Sequence, residues 1–580
     1  MVDSGYRWRN RELREHVAVI DGSVAPTKVL TNGIYLNVYT KQWLKANIWI
    51  LNDRIVYVGD HIPDQMHGVE QLDCEGKYIV PGYIEPHAHP FQLYNPEELA
   101  RHAAKFGTTT LVNDNLMWMF LLSRKKAFSL IKQFDKMPIS MFWWARFDSQ
   151  TALQKEDAIF NSETILSWLD NKSVVQGGEL TAWPNLMRGD DRLLYWMQEA
   201  NRLGKPIEGH LPGASERTLN KMRLLGVTSD HESMTAEEAM TRLRLGYHVG
   251  LRYSSIRPDL PQILEGLVAE GIHSYDSLTM NTDGSTPAFY ENGLMNVCIK
   301  IAIEKGVPVE DAYSMASFNA AKHFGFENEL GSIAPGKVAH INILEDKENP
   351  DPASVLASGE WIKKEQKVES LPFKLNWKKH GVGPVEFDWA LTENDLQFSI
   401  PIGLDLMNDV IMKPYAIGTD VTIERLPERN NDAFLLFVDR NGKWRVNTTI
   451  RGFTKKLGAI ASSYSTTGDI VYIGKSKKDI LIASSRLQEL GGGIVVAHEG
   501  EIIFELPLTL GGIMHDGKME DLIAQEKELK HILKEFGYLY GDPVYSILFL
   551  SATHLPFIRI TQRGIIDVKK KEVLFPAIMR

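Results

Sequence analysis

The stretch IVPGYIEPHAHP, residues 79–90, sets His87 and His89 two residues apart behind a short apolar run. Side chains at i and i+2 of a strand face the same side, so both imidazoles point one way if the run is a strand. Pro81-Gly82 also divides two textures. Upstream, VLTNGIYLNVYT, ANIWILNDRIVYVGD and GKYIV alternate apolar and polar residues, with Asn, Asp and Gly at the breaks. That is the pattern of a small β-domain. Downstream, to about residue 325, short apolar runs alternate with longer helical stretches.

Eight runs read as strands: GYIEPHAH, GTTTLVND, SMFWWARFD, VVQGGELT, PIEGHLPG, GVTSDHES, YHVGLRYSS and SLTMNTDG. Between them, stretches such as NPEELARHAAKF and TAEEAMTRLRLG repeat apolar residues at the helical period. Thr235 ahead of Glu238 has the form of a capping box. Eight strands alternating with helices over roughly 245 residues predict an α/β fold, a (β/α)8 barrel. The chain turns strand-like again in NELGSIAPGKVAHINILED, residues 328–346, which predicts a return to the first β-domain. The expected organisation is a β-domain split between residues 1–80 and 328–368, a barrel over 81–327, and a C-terminal α+β domain over 369–580. In the last, DLQFSIPIG, WRVNTTIRGF and GGGIVVAHEGEIIFELP read as strands and MEDLIAQEKELKHILKEFG as a helix.

Polar residues close these strands. His87 and His89 end the first, Asn113 and Asp114 the second, and Glu179 the fourth. His210 ends the fifth, Asp230 and His231 the sixth, Arg252 the seventh and Asp283 the eighth. In a (β/α)8 barrel such residues share one mouth. Taken singly, each has an ordinary reading: Asp114 as a helix cap, Asp283 as a turn residue in NTDGST, Glu179 as a helix-cap partner. Their joint placement favours a metal site of imidazole and carboxylate ligands. Four histidines, a Glu and an Asp exceed the needs of one tetrahedral ion, so two ions bridged by Glu179 are expected.

Composition narrows the function. Hydrophobic residues make up 44% and charged residues 24%, values of a globular domain protein. The net charge of -10 argues against a nucleic-acid binder and leaves a free nucleobase open as ligand. No apolar stretch reaches membrane-spanning length, and the polar N-terminus lacks the apolar core of a secretory leader. Two cysteines, Cys74 and Cys298, exclude a disulfide framework and fit a reducing, cytoplasmic setting.

PGYIEPHAHP followed by GTTTLVND resembles the opening of the amidohydrolase superfamily, and within it the bacterial adenine deaminases. Residues 207–255 are the most specific part, with GHLPG, SDHE, TAEEA and a glycine-led strand carrying Arg252. ASFNAAKHFG, LGSIAPGKVAHINIL, GGGIVVAHEGEIIFELPL and ITQRGIIDV are also similar. The resemblance runs from about residue 28 to the C-terminus and thins between about 365 and 480. It implies a metal-dependent barrel with a split β-sandwich and an additional C-terminal domain. It implies a binuclear divalent site, manganese first with iron or zinc as alternates, on His87, His89, Glu179, His210, His231 and Asp283. Asp283, His231 and Glu179 would be catalytic, and Arg252 and Asp114 would bind the substrate. The implied reaction is hydrolysis of adenine to hypoxanthine and ammonia in purine salvage, by a homodimer. The alternatives are another heterocyclic amine or cyclic amide as substrate, or a catalytically silent metal-binding homologue. Three positions depart from the family: Met117 stands where a Glu is usual, Gly284 where a second Asp is usual, and His340, read as structural, where an Asp is usual. The C-terminal region, including His554 and Arg559, is expected to cap the barrel mouth, to extend a dimer interface, or both; for these two residues, ordinary packing is favoured over a catalytic part.

Overall fold

A computed structural model describes residues 9–580; residues 1–8, where the polar N-terminus begins, lie outside the described residues. Eight parallel strands pair in chain order: Tyr83–Ala88, Thr108–Asn113, Ser140–Ala145, Val174–Leu180, Ile207–Gly209, Ser229–Asp230, His248–Arg252 and Leu278–Asn281. The eighth lies beside the first, so the sheet curls into a barrel. Each strand falls inside its expected stretch. Six of the eight, all but Ser140–Ala145 and His248–Arg252, are buried along their whole length, which is why the longer ones read as apolar runs without alternation.

The helices between the strands start where the sequence supplies an acceptor. Asn95, Asp190, Ser215 and Thr235 each accept a hydrogen bond from the backbone N–H three residues on, a cap contributing about 1 kcal/mol. The expected capping box at Thr235 is half made. The Glu238 carboxylate accepts from Met234 N at 2.8 Å, one residue short of the reciprocal bond.

Strands on either side of the barrel in sequence join in one nine-stranded sheet. Ile341–Leu344 pairs antiparallel with Tyr78–Pro81, with Ile341 opposite Pro81. Gly82 N donates to His340 O at 2.9 Å, so the chain leaves this sheet for the barrel and returns to it at the same point. A second nine-stranded sheet lies in the C-terminal region, with helix Lys477–Leu490 packed on it. Trp444–Arg451, the hairpin of Gly493–His498 with Glu501–Pro507, and helix Met519–Glu535 lie where expected. DLQFSIPIG is a correction. It forms a 3-10 turn, Glu393–Leu396, and strand begins only at Ile402. The Asn447 amide takes up the Asp395 and Gln397 carbonyls at 2.6 and 2.8 Å, and Pro401 offers no N–H to a ladder.

His340 joins the split sheet to the barrel. Its ring lies 2.9 Å from Ser140 Oγ on the third barrel strand and accepts from Ser358 N at 3.1 Å. Burial, reinforced by Arg54, pushes its pKa down to about 3. The unfolded chain, with an ordinary histidine near 6.5, then binds a proton that the folded chain refuses. Stability is therefore complete above about pH 6.5 and falls as the pH drops toward 3, by about 2 kcal/mol from this group at pH 5. In thermal melts, His340→Gln should show a shallower loss of Tm between pH 7 and pH 5 than the unaltered chain. Parallel losses would remove His340 as the source.

Candidate metal centre

The strand ends bring His87, His89, Glu179, His210, His231 and Asp283 together. Their ligand atoms form three groups within 4.8 Å: His87–His89–Glu179, His87–His231–Asp283 and Glu179–His210–His231. Glu179 is two-sided. Its Oε2 lies 3.9 Å from His87 Nε2 and 3.7 Å from His89 Nε2. Its Oε1 lies 2.7 Å from His210 Nδ1 and 3.6 Å from His231 Nε2. Asp283 Oδ1 faces the first pair, 3.6 Å from His87 Nε2 and 3.2 Å from His89 Nε2. Close as these carboxylates are, His87 Nε2, His210 Nδ1 and His231 Nε2 are buried without a hydrogen-bond partner. Buried polar atoms are rarely left so. Nitrogens and carboxylate oxygens converging without bonding one another fit a divalent metal donor set.

A second layer of charge holds these side chains. Asp114 accepts from His89 Nδ1 at 2.9 Å, Leu116 N at 2.8 Å, Arg146 Nε at 2.9 Å and Arg146 Nη2 at 2.6 Å. Arg146, fully buried, also reaches Glu179 Oε2 at 2.8 Å. Burial works to raise the Asp114 and Glu179 carboxyls; Arg146, together with His89 at Asp114 and with His210 and His89 at Glu179, outweighs it and holds both below the usual carboxylate range. His231 Nδ1 meets Glu208 Oε1 at 2.9 Å, leaving Nε2 toward Glu179. Arg252 Nη1 donates to Asp283 Oδ2 at 2.6 Å and to Glu232 Oε1 at 2.7 Å. Arg257 Nη1 donates to Glu232 Oε2 at 2.6 Å. Asp230 carries no ligand atom here: it binds Arg242 and Leu211 N, fastening the turns after the fifth and sixth strands. Asn113 is also structural, donating across to Phe142 O at 2.9 Å.

Sequence reasoning did not single out Arg146, Glu208, Glu232 or Glu85. Glu85 accepts from His87 N and from Thr282 N and Oγ1. Glu85 and Glu208 each sit two residues before a histidine of the site, so strand periodicity held a signal for them. Glu232 follows His231 directly. Arg146 follows the third strand, for which the sequence offered no candidate.

Above the six residues lies a cavity of about 720 Å³, inside the usual range for small-molecule sites. Its floor includes Asp114, Glu179, Asp283 and Arg252; its roof comes from the C-terminal region, with Val410, Ile411, Tyr464, Phe549 and His554. The expected cap is therefore present. Met117 lines the wall from helix Leu116–Leu121. Gly284 sits at φ +62°, where a Cβ would collide with the Cβ of His89, and its carbonyl accepts from Tyr545 Oη at 2.7 Å. A second Asp there is incompatible with this backbone.

Comparison with known proteins names the class first: residues 78–362 match the Amidohydrolase family, a family of metal-dependent barrel hydrolases. Residues 418–572 match the Adenine deaminase C-terminal domain. A protein of Oceanobacillus iheyensis bearing the name "putative adenine deaminase" is 61% identical over 100% of both chains. A Bacillus subtilis protein of the same description is 49% identical, again over 100% of both. A second Oceanobacillus iheyensis protein, named adenine deaminase, is 27% identical over 96% of this chain and 97% of its own. The chain belongs to the adenine deaminase family of amidohydrolases.

Because Asp114 orients His89 and neutralises Arg146, Asp114→Asn should weaken divalent-metal binding by roughly 10- to 100-fold, as losses of such outer partners do. It should also destabilise the fold by about 3 kcal/mol, at the low end for a broken buried pair because Arg146 keeps Glu179. Metal titration and thermal melting read the two effects; unchanged metal affinity would leave Asp114 without an orienting role.

Proposed function

We propose that this protein hydrolyses adenine to hypoxanthine and ammonia with two divalent ions, manganese in the first place and iron or zinc as alternates. The observation that carries this reading is the two-sided presentation of Glu179 between the His87–His89 pair and the His210–His231 pair, in a chain whose relatives are named adenine deaminases. His87, His89, Glu179, His210, His231 and Asp283 would hold the ions, which when bound supply Lewis acidity and lower the pKa of water.

The protein's own groups do the rest. A water oxygen adds at C6 as the C6–N1 double bond opens, and N1 takes up one of the water's protons. Asp283 takes the other proton on Oδ1 and returns it to the exocyclic nitrogen, whose bond to C6 breaks as the C6 carbonyl forms and ammonia leaves. Arg252 fixes Oδ2, so Oδ1 faces the reacting centre. Burial pushes the Asp283 carboxyl up, but Arg252 and His89 hold it well below the usual range, so it begins as the carboxylate that proton uptake requires. His231, oriented by Glu208, shares in proton movement at the ring. Arg252, on the cavity floor, contacts the purine edge. Asp114 has each oxygen accepting two bonds, which favours an orienting role over the purine contact the family resemblance implies.

A second reading, another heterocyclic amine or a cyclic amide as substrate, draws support from Met117 on the cavity wall. It also fits a single organism holding both the close relative and a separate protein named adenine deaminase. We extend the proposal to a homodimer acting in cytoplasmic purine salvage; Cys74 and Cys298, buried and unpaired, suit a reducing compartment, and size-exclusion chromatography tests the dimer. Among the described residues no helix is long and apolar enough to cross a membrane.

Purified protein loaded with manganese should convert adenine to hypoxanthine in an ultraviolet assay. Absence of turnover with metal bound would sink the adenine reading, and a panel of purines, pyrimidines and cyclic amides would then decide the substrate. Asp283→Asn should lower kcat by about 10²–10⁴-fold, the range of general acid–base catalysis, while ligand-grade metal content persists. Full activity in that variant would refute the proton-transfer role.

A further inference from the structure

His554 belongs to a segment far from the barrel in sequence. It lies between the 3-10 turn Phe549–Ser551 and strand Ile558–Thr561. Four hydrogen bonds fix this segment over the mouth. Thr553 N donates to Gln150 O at 2.9 Å, and Thr151 Oγ1 donates to Ser551 O at 2.6 Å. The buried Arg559 donates to Ala552 O at 3.0 Å and to Val410 O at 2.9 Å. The side chain of Gln150 in turn reaches Glu179 Oε2 at 3.5 Å. One loop residue thus fixes the position of the C-terminal segment relative to the two-sided carboxylate.

The His554 ring lines the cavity. It stands edge-on to the His210 ring, with centroids 5.3 Å apart and planes at 80°. Its Nδ1 is shielded from solvent and has no hydrogen-bond partner. The three metal-ligand groupings found among the described residues do not include it. Its neighbours on this wall, Leu548, Phe549, Leu555 and Pro556, are apolar, so an apolar side chain would fill the position without the desolvation cost of an unpaired nitrogen.

We propose that His554 is a substrate-contacting residue, its imidazole hydrogen-bonding a ring or exocyclic heteroatom of the heterocycle, so that the C-terminal region completes the substrate site. The inference rests on the proposed function in taking this cavity as the heterocycle site. A neutral imidazole offers one donor and one acceptor, a match for the mixed donors and acceptors on a nucleobase edge.

The test compares His554→Ala and His554→Asn with the unaltered chain, all manganese-loaded. In His554→Ala, KM for the base should rise roughly ten-fold, with kcat within about three-fold and with metal content and Tm unchanged; His554→Asn, which keeps a donor and an acceptor, should recover part of the loss. An unchanged KM in both variants overturns the proposal, as does a fall in metal content that tracks the fall in activity. If His554→Ala does not fold, His554→Asn decides by the same KM and metal readouts. If the unaltered protein turns over no base, calorimetric titration with hypoxanthine decides: ten-fold weaker binding to the variant supports the contact, and equal binding overturns it. Absence of purine binding to the unaltered protein overturns both this inference and the proposed function, whereas an active unaltered protein with an indifferent His554→Ala overturns this inference alone.

Discussion

The guanidinium of Arg146, fully buried, lies between Asp114 and Glu179. Without it, two carboxylates would sit beneath the barrel mouth at a desolvation cost of several kcal/mol each. With it, both stay ionised and both act on histidines. Asp114 fixes the His89 ring from behind. Glu179 stands between two histidine pairs with one oxygen for each. This one cation touches both carboxylates, although it contributes no ligand atom itself.

The barrel supplies rigidity where the strands are shortest. The fifth and sixth strands span Ile207–Gly209 and Ser229–Asp230, too short to hold their following turns by ladder bonds alone. Asp230 and Arg242 do that instead, tying Leu211 N and O to the sixth strand's end. Close approach of neighbouring strands matters as well: a Cβ on Gly178 would lie 2.6 Å from Glu208 O. Small residues here let Glu179 and Glu208 reach the site from adjacent strands.

The departures from the family have unequal physical meaning. Met117 places an apolar side chain on the cavity wall at a position where the family resemblance leads one to expect a Glu. Gly284 is tied to the local backbone: its left-handed φ and its carbonyl, held by Tyr545, leave no room for a side chain beside His89. The C-terminal region is thereby part of the site's architecture as well as its roof.

Much of this protein is written in local pattern. Apolar runs separated by helical periods give the eight strands, because burial on both faces forces that composition. The register of His87 and His89, and the polar residues closing other strands, follow from the two-residue repeat of a strand. The return of Ile341–Leu344 to Tyr78–Pro81 was legible in the matching strand texture on either side of the barrel. What pattern does not carry is partnership across sequence. Arg146 pairs with Asp114 and Glu179 over more than thirty positions, and His554 meets His210 from the far end of the chain. A lone arginine after a strand or a histidine in a turn has no periodic signature. Such contacts arise only when barrel closure and C-terminal docking bring desolvated groups together, where each must find a charge, a hydrogen bond or a ligand.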